Sequence, residues 1–308
     1  MRGRAWWVAG ALLVVVLVVP YVAADRESLV LDEALREERG GDYVGLSDGI
    51  THYELGGPAG GQLVVLVHGG TIPLYAWDAQ VPALVDAGFR VLRYTHYGRG
   101  YSDRPRVDYD RRLYQRQLNE LLDALGVEGS FHIVGVSFGA ATAATFLLEN
   151  PERIDKAVFI APVVDYSEGR PLFDLARVPV LSNWFVRVFA VRKTIERATG
   201  FFEEADAPPR YAARFVEQTR IEGFERALLS FSRTDALRDY SDTYAALGDH
   251  PKALMWGARD GEIPRHHVET LRETLENVTY LEIAEAGHGV TVEAAPEVNA
   301  HLLQFLTQ

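Results

Sequence analysis

Apolar residues along this chain change their period several times, and each change marks an element. Leu63-Val64-Val65-Leu66-Val67 is an unbroken, largely β-branched run, the pattern of a strand buried on both faces of a parallel sheet. Before it, Tyr43–Leu46 and Ile50–Leu55 alternate apolar with polar, and Ser47-Asp48-Gly49 between them is a hairpin signal. After it, strand-like and helix-like stretches take turns. The pattern predicts a helix over Leu74–Ala87, a strand over Arg90–Tyr94, and a helix over Tyr109–Leu125 with apolar spacing at Leu113, Leu118, Leu121, Leu122 and Leu125. A strand over Phe131–Val136, an Ala-rich helix over Phe138–Glu149 and a strand over Lys156–Ala161 follow. Such alternation implies an α/β fold, a mostly parallel, doubly wound sheet with helices on both faces.

The rhythm stops after Pro162. Up to about Ser241 there is no buried strand run, only amphipathic stretches rich in aromatics such as Phe185, Phe189, Phe201, Phe202, Phe215 and Phe231. It resumes with a strand at Ala253–Trp256, a helix over Pro264–Glu276, a strand over Val278–Ile283 and a closing helix over Pro296–Leu306. The expected organisation is therefore a core from residues 42–162 and 241–308, interrupted by an inserted helical cap at 163–240. A charged spacer at 25–41 precedes the core.

The first 24 residues read differently. Arg2 and Arg4 precede an uninterrupted apolar run from Ala5 to Ala24. About 20 such residues suffice to cross the hydrocarbon core as a helix, with the arginines on the cytoplasmic side. This predicts an N-terminal membrane anchor holding the rest outside the cytoplasm. The alternative is a signal peptide cut before Asp25, giving a secreted protein. The net charge of -12 argues against nucleic acid as a partner, and with no cysteine there is neither a disulfide framework nor a thiol nucleophile.

The chemistry centres on Gly135-Val136-Ser137-Phe138-Gly139, where a predicted strand meets a predicted helix. A Gly-x-Ser-x-Gly at such a junction is a nucleophile elbow: the turn is too tight for bulk beside the serine, and it holds the hydroxyl above the sheet. A serine needs a base to accept its proton, and the base must itself be oriented. Two later loops offer these groups. His288, in Ala286-Gly287-His288-Gly289, is the candidate base. Asp260, in Trp256-Gly257-Ala258-Arg259-Asp260, is the candidate acid, with Asp165 and Glu262 as rivals. Phe138 and Gly70, or Thr71 in place of Gly70, are candidate amide donors to an oxyanion. His68 is expected to prop the loop that carries Gly70. His266 and His267 have no third ligand at metal-site spacing and read as surface residues; neither a metal nor a cofactor is expected.

Taken in order, His68-Gly69-Gly70, Tyr97-Gly98-Arg99-Gly100-Tyr101-Ser102, Gly135–Gly139, Pro151-Glu152-Arg153-Ile154, Trp256-Gly257-x-x-Asp260 and Gly287-His288 resemble the α/β-hydrolase superfamily, in its esterase, lipase and C–C-hydrolase branch with a helical cap. The resemblance covers roughly Gly45 to Leu306. It implies a Ser137–His288–Asp260 triad, an oxyanion hole at Gly70 and Phe138, and a cap over an acyl pocket. Dehalogenases and epoxide hydrolases of the superfamily carry aspartate at the elbow, which Ser137 is not. One departure is Thr95-His96, in a stretch where the family usually has a structural aspartate. The function so implied is cleavage of carboxylic esters, small lipid or acylglycerol-like, through an acyl-enzyme, with an apolar small molecule as substrate. C–C bond hydrolysis or cofactor-free perhydrolysis would use the same residues, and a membrane-tethered, catalytically silent binding protein is the non-enzymatic alternative.

Overall fold

The structure, a computed structural model, describes residues 7, 15–170, 176–178 and 181–308. Its centre is an eight-stranded sheet of order β1-β2-β4-β3-β5-β6-β7-β8. The strands are β1 (Asp42–Gly45), β2 (Ile50–Gly56), β3 (Leu63–Val67), β4 (Arg90–Tyr94), β5 (Phe131–Val136), β6 (Ile154–Ile160), β7 (Lys252–Gly257) and β8 (Val278–Ile283). Strands β1 and β2 form an antiparallel hairpin and β2 pairs antiparallel with β4; every other pairing is parallel. Ser47-Asp48-Gly49 turns the hairpin, with Leu46 and Gly49 exchanging backbone bonds.

Alternate residues of β3 serve opposite faces, as strand geometry requires. Val65 and Val67 join the core under α3 (Arg111–Ala124) and α4 (Phe138–Glu149). Val64 and Leu66 join the core on the other side, with Leu84 of α2 (Gln80–Asp86) and with Val298, Leu302 and Leu306 near the C-terminus. That two-sided burial is why β3 reads as a continuous apolar run. Helix α4 lies so close to the sheet that Ala140, Ala141, Ala143 and Ala144 are all fully buried. The helix expected over Leu74–Ala87 is broken into a 3-10 turn, Leu74–Trp77, and α2, because the chain must first turn Trp77 into the core.

Between β6 and β7 the described residues contain α5 (Leu181–Phe185), running through a π turn into α6 (Val191–Glu204), then α7 (Pro209–Gln218), α8 (Phe224–Arg233) and the short α9 (Ser241–Ala245). Residues 171–175 and 179–180 of the expected cap lie outside the described residues. After β7 come α10 (Arg265–Thr274), α11 (Val290–Glu293) and α12 (Ala295–Thr307).

The N-terminal expectation is overturned. Among the described residues no helix is long and apolar enough to cross a membrane. Among the described residues of this stretch, 15–23 are helical. Two of them touch the insertion: Trp184 Nε1 donates to the Leu17 carbonyl at 2.7 Å, and the Arg187 guanidinium sits 4.4 Å from the Tyr21 ring. The chain then continues as a strap. Glu27 accepts from the Gly223 and Glu225 amides, Leu29 bridges Ile221, and Arg36 pairs with Asp103. The transmembrane anchor, the signal peptide and the extracytoplasmic, membrane-held placement inferred from Ala5–Ala24 are corrected accordingly; residues 1–6 and 8–14 lie outside the described residues. The spacer is thus a docked segment, with one helix, α1 (Glu33–Arg39), capped by Asp32.

Candidate active site

Strand β5 sits between β3 and β6, and the chain leaves its carboxyl end through Ser137. The serine backbone is at φ 56° and ψ -121°, a conformation costing about 1–3 kcal/mol in an L-residue. The cost is met by the surrounding bonds: the Ser137 amide donates to Ile160 O at 2.8 Å, and its carbonyl accepts from Ala140 and Val163. The two glycines of the motif have distinct steric reasons. A Cβ on Gly135 would lie 2.2 Å from the Gly139 carbonyl oxygen, and one on Gly139 would lie 2.1 Å from that of Val67. The elbow thus locks strand, helix and the end of β3 together.

Asp260 and His288 come from the loops after β7 and β8, at the same end of the parallel sheet as Ser137. His288 Nε2 lies 3.0 Å from Ser137 Oγ, and His288 Nδ1 lies 2.9 Å from Asp260 Oδ2. The Asp260 side chain is wholly buried. Burial alone would raise its pKa, but the bond and charge of His288 and the amides of Ile263 and Glu262 outweigh it and hold the carboxyl below its ordinary value. Oδ1 takes those two amides at 3.0 and 2.7 Å, and Oδ2 also accepts from Trp256 Nε1 at 3.2 Å. An ionised Asp260 requires the proton on His288 Nδ1, leaving Nε2 to accept from the serine hydroxyl.

The rival acids are engaged elsewhere. Asp165 Oδ1 accepts from the Ser167 amide and hydroxyl at 2.8 and 2.6 Å. Glu262 accepts from Tyr166 and Arg197.

The loop after β3 faces the elbow: a Cβ on Gly69 would sit 3.3 Å from Ser137 Cβ. His68 Nε2 accepts from the His96 amide at 2.9 Å, so its proton is on Nδ1, which donates to the Gly69 carbonyl at 2.6 Å. Since the next peptide is trans, pulling that carbonyl one way turns the Gly70 amide the other way. Among the described residues neither the Gly70 nor the Phe138 amide has a protein acceptor, and Phe138 opens α4, where the first amides have no partner within the helix. Arg99 Nε holds the Gly70 carbonyl at 2.5 Å, which likewise orients the amide of Thr71.

His96 follows the end of β4. Its Nε2 donates to the His68 carbonyl at 3.1 Å, so the two histidines brace each other. Burial pushes His68 down to about 3 and His96 well below its ordinary value, keeping both rings neutral. Around them Tyr114, Phe138 and Phe231 pack edge to face, giving the site an apolar wall. Two helices of the insertion close over it. A Cβ on Gly70 would lie 3.0 Å from Phe231 of α8, and one on Gly289 would lie 2.0 Å from Phe201 of α6.

A sequence profile described as "Alpha/beta hydrolase family" matches residues 64–301. The chain belongs to the alpha/beta hydrolase family. A 2-hydroxy-6-oxo-6-phenylhexa-2,4-dienoate hydrolase from Comamonas testosteroni is 30% identical over 283 residues, covering 85% of this chain and 93% of the relative. A 2-hydroxy-6-oxononadienedioate/2-hydroxy-6-oxononatrienedioate hydrolase from Paraburkholderia xenovorans is 28% identical over 272 residues, covering 83% and 90%. Among solved structures, the enol-lactonase from Burkholderia xenovorans superposes with a TM-score of 0.73 at 19% identity, over 87% of this chain and all of that one, a likeness of fold.

Two side chains beside this alpha/beta hydrolase site escaped the sequence reasoning. Glu293, on α11, accepts from the Gly287 amide at 2.5 Å and from the Gly289 amide at 3.1 Å, clamping the loop on both sides of His288. Its signal was an acid five residues after the histidine, readable only once the loop is known to fold back. Arg99 was visible as part of a glycine-rich motif, but its hold on Gly70 depends on the β3 and β4 loops meeting. His267 is buried, contrary to its reading as a surface residue, while His266 is exposed.

Proposed function

We propose that this alpha/beta hydrolase works through Ser137, His288 and Asp260 as a serine hydrolase of apolar carboxylic esters, forming an acyl-enzyme beneath a cap contributed by residues 163–240. The observation that carries the reading is the unbroken relay from Ser137 Oγ to His288 Nε2 at 3.0 Å and from His288 Nδ1 to the buried Asp260 at 2.9 Å. Ser137 Oγ attacks the ester carbonyl as its proton passes to Nε2. The charge on the carbonyl oxygen meets the amides of Gly70 and Phe138, which are held in place before the reaction and cost no reorganisation during it. His288 then returns the proton to the leaving alcohol, and a water repeats the sequence to release the acid. The aromatic wall of Tyr114, Phe138 and Phe231 favours an apolar acyl group.

A second reading has a specific observation in its favour. The Comamonas relative is named for a 6-oxo-dienoate, whose reacting carbonyl is a ketone rather than an ester. The same serine, base and amide donors could cleave the C–C bond beside such a carbonyl, with a stabilised carbanion leaving in place of an alkoxide. One experiment separates the readings: kcat/KM on a panel of acyl esters and on 2-hydroxy-6-oxo-dienoates, with fluorophosphonate labelling of Ser137 in parallel. Ester turnover lost together with labelling in Ser137→Ala supports the first. Turnover of the dienoates alone supports the second, and undiminished turnover in Ser137→Ala refutes both.

A further inference from the structure

Glu168, His266 and His267 form a cluster that the hydrolytic site does not use. Glu168 lies on the segment leaving β6, at the start of the insertion; the two histidines open α10, the helix after the Asp260 loop. Glu168 Oε2 is 2.5 Å from His267 Nε2 and 3.3 Å from His266 Nε2, and the three potential ligand atoms all lie within 4.8 Å of one another. The imidazole centroids are 4.4 Å apart with planes at 67°, so the rings converge by their Nε2 edges on one carboxylate oxygen instead of stacking.

We propose that these three side chains form a binding site for a zinc-like divalent transition cation, with solvent in the remaining position. The ligand chemistry selects the class: two imidazoles and a carboxylate suit Zn2+, Ni2+ or Cu2+, whereas Ca2+ and Mg2+ want an all-oxygen shell. Three protein ligands with one open position is a known zinc arrangement. The site is also partly built in advance. The His267 side chain is 8% exposed, held in the first turn of α10, where its amide bonds Pro264 O. Among the described residues its Nδ1 has no partner. Glu168 accepts the Nε2–H of His267 in the metal-free protein; a cation taking Nε2 displaces that proton to Nδ1 and takes the carboxylate as a ligand in the same step. His266 and Glu168, 59% and 51% exposed, leave an entry path and room for water. A bound cation would cross-link the chain's exit from β6 to α10, fixing the base of the insertion without entering the hydrolytic chemistry.

The test uses the full-length, tag-free, metal-stripped chain titrated with Zn2+ alone, read by calorimetry and by thermal unfolding. We expect one Zn2+ per chain and, at about a hundred times Kd, a Tm rise of about 5 °C. Mg2+ at the same concentration should leave Tm unmoved. His266→Ala and Glu168→Gln, both on exposed side chains and so expected to fold, should each weaken binding by about tenfold or more. His267→Gln should abolish it. The proposal is overturned if the wild-type chain binds no Zn2+, if the exposed-site variants bind it as tightly as wild type, or if His288→Ala removes the binding.

Discussion

Replacing Asp260 by Asn tests the relay at its most buried point. Oδ1 of Asp260 is fixed by the Glu262 and Ile263 amides, so an Asn keeps its own oxygen there and turns its NH2 toward His288 Nδ1 and Trp256 Nε1. Nδ1 must then accept, which moves the imidazole proton to Nε2, where it faces Ser137 Oγ as a donor. A base in that tautomer has no lone pair for the hydroxyl proton. The same change in serine proteases costs about 10⁴ in kcat, equivalent to about 5.5 kcal/mol at the transition state. Trp256 Nε1 also loses its acceptor, at a cost of about 1–3 kcal/mol, so a fall in Tm accompanies the loss of activity. The assay is kcat on a chromogenic ester with the rate of fluorophosphonate labelling as a second readout. Asp165→Asn is the control, because among the described residues its carboxylate bonds Ser167 and not the histidine, and the change should leave kcat as it is. The reasoning fails if Asp260→Asn retains kcat within tenfold of wild type, or if Asp165→Asn loses as much.

Glu293→Ala frees the Gly287 and Gly289 amides and lets the His288 loop wander, so kcat should fall about tenfold or more while KM changes little; an unchanged kcat would mean that the loop holds itself. Gly139→Ala drives a Cβ to 2.1 Å from a backbone carbonyl that cannot move, and should lower Tm by more than about 10 °C or prevent folding, as circular dichroism melts would reveal. Acid should destabilise the protein through its buried neutral histidines. His52 and His68 are lowered by burial to about 4 and about 3, so below about pH 6.5 the unfolded chain takes up protons that the folded chain refuses. Stability is full above that pH and declines toward pH 4 by about 1.4 kcal/mol per pH unit for each such ring. A Tm that stays level from pH 8 to pH 5 would contradict this.

What the sequence determined by itself was whatever short-range pattern decides. The continuous run of β3, the alternation around Ser47-Asp48-Gly49 and the 3.6-residue spacing of Leu113 to Leu122 each fix a local element, because burial on one or two faces leaves its period in the chain. The tight turn at Gly135–Gly139 was legible in part for the same reason: Gly135 answers to the Gly139 carbonyl four residues on, whereas Gly139 answers to Val67 of β3. The order of Ser137, Asp260 and His288 after β5, β7 and β8 could also be read, since a parallel sheet brings its carboxyl ends to one side. Only tertiary structure decided which acid meets the histidine, since Asp165 and Asp260 both follow strands and differ in what already binds them. It decided that Glu293 reaches back around His288, that His68 and His96 set the direction of the Gly70 amide, and that Glu168 meets two histidines about a hundred residues further on. It also decided that, in an N-terminal stretch whose composition suits a bilayer, Leu17 and Tyr21 meet Trp184 and Arg187 of the insertion. Hydrophobicity states what a segment must leave water to touch; which surface it finds is a property of the folded chain.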